Sequence, residues 1–259
     1  MTKIYEGIIQ QYPTMKIQLV HSAELLSEWQ QNTLSGYCWR LYHNDTDGAG
    51  IYSGGKKIEM QPDKIYLLVP NCELKTWVDK NPRQLYIHFE MDRLTGRSDI
   101  LYHELPMTDS IKEKFESLQN MLDTQVPQWR ITLKAFQLAA EVLEQVNPEL
   151  LCESETDDRI TRVRNHISNN PGEDFTLESM AQEAGMSVNA FLARFQEITK
   201  VTPYQYLLSV RYTMAAYLLK NGEYDIEKVC EMIGVKDRFH FSRRFKQLYG
   251  MPPGAYRKS

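Results

Sequence analysis

Long apolar runs are missing from this sequence. Strongly apolar stretches such as Ile65 to Pro70 fall far short of the roughly eighteen residues that a membrane span needs, and the amino terminus carries no apolar core of a secretion signal. A cytoplasmic protein with no membrane partner is expected. Cysteine is sparse: Cys38, Cys72, Cys152 and Cys230 stand far apart, without the close pairing of a zinc site or the dense spacing of a disulfide framework. The sequence around them shows no nucleophile and base pair, so neither an enzyme nor a bound metal or cofactor is expected. An overall excess of positive charge is lacking too, since 30 Lys and Arg face 34 Asp and Glu for a formal charge of −4.

That balance conceals an asymmetry. Residues 1–156 carry 15 basic and 22 acidic side chains, whereas residues 157–259 carry 15 and 12. With 259 residues, 42% hydrophobic and 25% charged, the chain has the composition and length of two compact domains of opposite charge.

From Lys3 to Glu104 short β-rich runs (Tyr37 to Tyr42, Ile51 to Tyr52, Ile65 to Val69, Leu85 to Phe89) alternate with turn residues such as Asp47-Gly48, Gly54-Gly55 and Pro70-Asn71. This spacing predicts an antiparallel sandwich or small barrel. Near Ser110 the period changes to that of helices. Ile111, Phe115, Leu118 and Leu122, then Trp129, Leu133, Phe136, Ala140 and Leu143 after Pro127, predict a helical hairpin. A second apolar run (Ile131, Leu138, Val142, Val146) widens the arc, so one face covers the sheet and the other is open to a helix of a second subunit. A fully buried intrachain pair is the alternative. The stretch from Leu150 to Arg159 is polar and acidic (Glu153, Glu155, Asp157, Asp158), as in an exposed linker.

An internal repeat fills the remainder. Phe191-Leu-Ala-Arg-Phe195 and Phe241-Ser-Arg-Arg-Phe245 lie fifty residues apart, each followed by a Pro (Pro203, Pro253) and a Tyr (Tyr206, Tyr256), and preceded by a small residue and a glycine (Ala181 and Gly185; Cys230 and Gly234). Each copy reads as a helix-turn-helix: a glycine for the tight turn, an apolar plug (Met186, Val235), a helix-starting Ser187 or Asp237, and two rings anchoring the second helix. With the rings inward, the outward positions are Asn189, Ala190, Ala193, Arg194 and Gln196 in the first copy. In the second they are Arg238, Phe239, His240, Arg243, Arg244 and Lys246. Arg suits guanine, Asn suits adenine and an exposed Phe suits a thymine methyl, so both faces are candidates for reading a major groove. The pattern from Tyr204 to Lys220 reads as one spacer helix that would set the two faces on successive grooves. A protein-binding helical bundle would explain the ring anchors, but not the seven basic against two acidic residues of 231–259.

The run from Cys230 to Lys246 with Gly250, Pro253, Tyr256 and Arg257, together with Arg211, Ala215, Leu218 and Leu219, closely resembles the carboxy-terminal signature of AraC/XylS-type transcription regulators. The resemblance spans residues 159 to 257. It implies promoter DNA as partner through two helix-turn-helix motifs, with activation through RNA polymerase common in the family. The chain departs from the pattern in several places. Ala193 stands where the family often has Arg, with Arg shifted to 194; Lys200 replaces a usual Gly, Val235 a usual Phe, and Phe239-His240 a common Ser-Tyr pair, while Arg243 and Lys246 are retained. The second motif is therefore expected to supply more of the direct contact energy.

More loosely, Gly55 to Asp63, Ile65 to Pro70 and Tyr86 to Phe89 resemble the cupin-like effector-binding and dimerisation domain of the same family. The implied fold class is α+β: a cupin-like β jelly roll (1–108), a helical dimerisation hairpin (109–151), a linker (152–158) and an all-α double helix-turn-helix domain (159–259). By this resemblance a small-molecule effector binds inside the jelly roll and the hairpin makes a homodimer. Trp39, Tyr42, Trp77, Tyr86 and His88 are candidates for the ligand site, with Trp29 also able to stack. No His follows Pro70 at the usual sugar-sensing position, so the ligand's identity does not carry over. His88 and Glu90 share a strand face within possible reach of His43, but the clustered His-x-His of catalytic cupins is absent. Some DNA-repair alkyl transferases carry similar helices, with clustered zinc cysteines that this chain lacks. A first domain that only dimerises or binds a protein partner is the runner-up.

Overall fold

A computed structural model describes residues 14–30, 33–34, 37–91, 94–96, 99–124, 126–153, 157–222, 224–249 and 251–258. Lys3, Glu155 and Gly250, used in the sequence reading, lie outside the described residues. The β-rich half forms two antiparallel sheets. One has the order β1 (Met15–Glu24), β8 (Arg83–Met91), β3 (Trp39–Asn44), β6 (Lys64–Leu68) and β10 (Tyr102–Pro106). The other has the order β2 (Thr33–Leu34), β7 (Leu74–Val78), β4 (Ala49–Ser53) and β5 (Lys56–Glu59). The β4–β5 hairpin turns on Gly54 and Gly55, both left-handed with φ of 55° and 76°, a conformation in which side chains are strained. Together the sheets make the jelly roll that the sequence led us to expect.

Register decides what each face of the larger sheet does. Arg40 pairs with His88, Tyr42 with Tyr86 and Asn44 with Gln84, so these six side chains share the face toward the second sheet. The intervening residues Trp39, Leu41 and His43, with Leu85, Ile87 and Phe89, share the opposite face. There α1 (Asp109–Asp123) and α2 (Gln128–Glu144) cover it. Phe115 lies 4.8 Å from the His43 ring and Ser22 donates to Gln119 at 2.6 Å. Within α2 the covered positions are Ile131, Ala135, Leu138, Ala139, Val142 and Leu143. Trp129, Leu133 and Phe136 stay outside, exposed by 64%, 56% and 44%. In α1 the expected Ile111, Phe115 and Leu118 are buried, whereas α2 buries mainly its second apolar run and leaves its larger side chains in water.

After α2 the chain returns to the β half instead of leaving it. Residues Leu151–Glu153 form β11, antiparallel to β9 (Leu94–Gly96). The first two residues of the expected linker 152–158 are therefore strand, held by a two-stranded ladder.

The remaining helices are α3 (Asp158–Asn169), α4 (Leu177–Glu183), α5 (Val188–Thr199), α6 (Pro203–Asn221), α7 (Ile226–Met232), α8 (Arg238–Tyr249) and α9 (Pro253–Tyr256). The spacer α6 starts at a capping box in which Thr202 and Gln205 bond reciprocally, with Pro203 in the first turn. It is apolar nearly all round because it serves two cores. Tyr206, Leu207 and Val210 join Phe191 and Phe195 of α5 in one, whereas Tyr212, Ala215 and Leu219 join Phe241 and Phe245 of α8 in the other.

Candidate nucleic-acid interface and interdomain cavity

Each copy of the repeat folds as a pair of helices around a left-handed glycine, Gly185 with φ 65° and Gly234 with φ 68°. The second helices are capped alike: Ser187 accepts from the Ala190 amide at 3.4 Å, and Asp237 accepts from the Phe239 and His240 amides at 2.8 and 3.0 Å. Those bonds, with Arg243 close by, hold the Asp237 carboxyl below its ordinary pKa. Phe191 and Phe195, like Phe241 and Phe245, are fully buried with ring centroids 5.4 and 5.5 Å apart. Anchoring by these rings turns the other side of each helix outward.

The two outward faces differ. On α5, Asn189, Ala190, Ala193 and Gln196 are exposed. Arg194 is partly buried and engaged, donating to Asp157 at 3.1 Å and to Glu197 at 2.7 Å. On α8, Arg238, Phe239, His240, Arg243, Arg244 and Lys246 are all exposed, Phe239 by 75%. Arg238 reaches Glu227 at 2.6 Å and Arg244 reaches Gln247 at 3.1 Å, both bonds on the surface. The helix α8 is thus a cationic, solvent-facing strip, and α5 a mostly neutral one. Between them α6 runs 19 residues, about 28 Å at ~1.5 Å per residue.

The jelly roll holds a cavity whose wall is shared between the two halves of the chain. Trp29, Arg40, Tyr42, Gln84, Tyr86 and His88 line it from the β side, and Ser209, Tyr212, Thr213, Leu248 and Tyr249 from α6 and α8. Of the ligand candidates, Tyr42, Tyr86 and His88 meet there; burial lowers the His88 pKa well below the ordinary value, so its ring is neutral. Trp39 and Trp77 are corrected to structural positions. Strand alternation turns Trp39 to the opposite face, stacked on Phe89 at 6.3 Å, and Trp77 donates to the Ile58 carbonyl at 3.0 Å beneath the Lys57 ammonium. The sequence reading missed Arg40 and the α6 and α8 residues. Arg40 alternates with Tyr42 and Asn44 on the inward face, and no sequence signal there separates it from a surface cation; nothing local in the sequence points α6 at the barrel.

Docking of the two halves is itself polar and aromatic. Glu90, nearly buried, accepts from Arg164 of α3 at 2.6 Å and from the Tyr206 hydroxyl at 3.4 Å, and Gln18 also donates to it. Tyr37 lies 4.4 Å from the Tyr206 ring, and the Tyr86 and Tyr256 hydroxyls are 3.4 Å apart. Among the described residues no group of three or more His, Cys, Asp or Glu could hold a metal ion, and no helix is long and apolar enough to cross a membrane.

Residues 180–259 match a family model described as a helix-turn-helix domain. The carboxy-terminal domain is of the AraC/XylS type. The MmsAB operon regulatory protein of Pseudomonas aeruginosa is 33% identical over 82 residues, covering 32% of this chain and 27% of that protein. A putative AraC-like transcription regulator of Streptomyces lividans is 30% identical over 92 residues, 36% of this chain and 30% of that one. The chain thus spans about a third of the length of such curated relatives. Over nearly the whole chain, the fold is that of the crystal structure of ToxT from Vibrio cholerae O395, with a TM-score of 0.58, 14% identity, and 95% of this chain and 97% of that one covered. An AraC-type domain on a jelly roll with a helical hairpin is the architecture of this protein.

Proposed function

We propose that the protein is a transcription regulator that binds double-stranded promoter DNA through α5 and α8, as a homodimer, under the control of a small molecule held in the jelly roll. The carrying observation is the pair of equivalent helices at the two ends of α6, one of them exposing six residues suited to phosphates and base edges. Arg194, occupied by Asp157 and Glu197, is less available than Arg243, which supports the larger share of α8 in binding. The exposed Trp129, Leu133 and Phe136 of α2 form an apolar face suited to a second copy. Control by a ligand is supported by the cavity, whose wall is shared by both halves. ToxT has been crystallised with (E)-4-(8-methylnaphthalen-1-yl)but-3-enoic acid; for this chain the argument for an effector rests on its own cavity.

Selection of genomic fragments by the full-length protein near physiological salt tests the reading. Paired half-sites upstream of an operon are expected, with affinity falling steeply as salt rises. Arg243→Ala should weaken specific binding by about 1–3 kcal/mol, and Asn189→Ala by less. Retention without a shared motif would reject sequence-specific regulation, and a loss confined to Asn189→Ala would reject the dominance of α8.

A further inference from the structure

Arg40 presents an electrostatic problem that its own surroundings leave unsolved. Its side chain is inside the jelly roll, 4% exposed, and Nη1 is buried with no hydrogen-bond partner. The groups acting on it are the thiols of Cys38 and Cys72 and the phenols of Tyr42 and Tyr249; among the described residues no carboxylate pairs with it. The nearby carboxylate of Glu90 is committed to Arg164 and Tyr206. A guanidinium does not lose its proton in a protein, so burial leaves a full positive charge with no counter-charge among the described residues, a costly arrangement unless an anion meets it.

Resting on the effector reading above, we propose that this cavity takes a small monocarboxylate, its carboxylate paired with Arg40 and its body enclosed by Tyr42, His88, Ser209 and Tyr249. Charge sets the class. His88, desolvated, is neutral, so the site offers one positive charge, which a monoanion balances and a dianion would overfill. Size sets the limit: the cavity measures about 70 Å³, under half of the roughly 150 Å³ that takes benzene, so the acid is a short one. Hydroxyl or keto oxygens on it would suit the polar wall. Tyr212 carries a buried hydroxyl with no partner and is a donor on the α6 side of that wall.

The same geometry gives the acid a route to the DNA-binding face. Leu248 and Tyr249, which line the cavity, are the carboxy-terminal end of α8, whose other end presents Arg238, Phe239 and His240 to solvent. Tyr212 stacks on Phe241, the inner anchor of α8, at 5.5 Å. An acid bridging Arg40 to this wall binds the docked arrangement more tightly than the undocked one, and so shifts the balance between them.

Calorimetry on the full-length protein with propionate, lactate and pyruvate, against propionamide, lactamide and sulfate, is the test. Saturable binding of at least one acid, without its amide, is expected. Arg40→Met should weaken that binding at least tenfold while the ligand-free protein melts no lower, because the buried charge has gone. Ser209→Leu, which fills the cavity and leaves Arg40 in place, should abolish binding as well and decides the matter if Arg40→Met fails to fold. Equal binding of acid and amide, binding unchanged in both variants, binding of sulfate alone, or no binding at all would overturn the assignment. Promoter binding measured on the same preparations separates the two readings: a protein that binds DNA but no acid loses only the carboxylate, whereas one that binds the acid but no DNA loses the regulator.

Discussion

His21 lies between two tyrosine rings, 5.4 Å from Tyr86 of the sheet and 5.3 Å from Tyr256 of α9. Burial, with Lys220 and Arg83 nearby, pushes its pKa down to about 3. The unfolded chain, with an ordinary value near 6.5, therefore binds a proton that the folded protein refuses between those two limits. Stability contributed by neutral His21 is complete above pH 6.5 and is lost as the pH falls toward 3, by roughly 3 kcal/mol at pH 4. Denaturation at pH 7 and at pH 4.5 should show His21→Leu flattening part of the acid-side slope; an unchanged slope would show that His21 is protonated in the folded state. Neither His21 nor Arg40 was legible as a functional position. His21 owes its character to partners more than sixty residues away, and Arg40 to burial among Cys72 and Tyr249 as well as its strand neighbours Cys38 and Tyr42, brought together by strand register and by the docking of α6, α8 and α9. The outward residues of α8 were legible, because ring anchors four residues apart fix a helix face locally.

Elements were readable where a short-range rule controls them. The repeat announced two turns with left-handed glycines, and Lys200, standing where the family usually has Gly, adopts that same conformation with φ 59° at the end of α5. Lys200→Gly should therefore stabilise the domain by about 1 kcal/mol. The two turn glycines should respond unequally to alanine. A Cβ on Gly185 meets nothing within 4 Å, so only backbone strain is added, whereas one on Gly234 would lie 2.7 Å from the Gly172 carbonyl oxygen and 2.8 Å from Arg211. Arg211 is fixed there by bonds to the Pro171 and Glu173 carbonyls, so the second substitution should lower the melting temperature further than the first. Two elements were not readable. β11 is three residues long and borrows its order from β9, and the two apolar arcs of α2 are distinguished only by which one the sheet contacts.

At the scale of the whole molecule, the β half and the helix-turn-helix half are joined by a charge pair that neither contains alone. Arg164 and Glu90 have side chains 16% and 8% exposed and meet at 2.6 Å, and Gln18 and Tyr206 complete the carboxylate's bonds. Removing one member of such a pair costs about 3–5 kcal/mol, while replacing both by apolar residues is often neutral. Glu90→Ala should thus loosen the docking more than it disturbs either core, because the sheet and the α3–α6 core each keep their own apolar contacts. Denaturant unfolding followed separately by Trp fluorescence, which reports the jelly roll and its hairpin, where Trp29, Trp39, Trp77 and Trp129 lie, and by helical circular dichroism is expected to give transitions farther apart in Glu90→Ala than in the wild type. The double variant Glu90→Leu with Arg164→Met should bring them back together, since it removes the charge that the single variant leaves behind. If both variants separate the transitions equally, the coupling depends on the ion pair itself. If neither does, the aromatic contacts of Tyr37 with Tyr206 and of Tyr86 with Tyr256 hold the halves together without it.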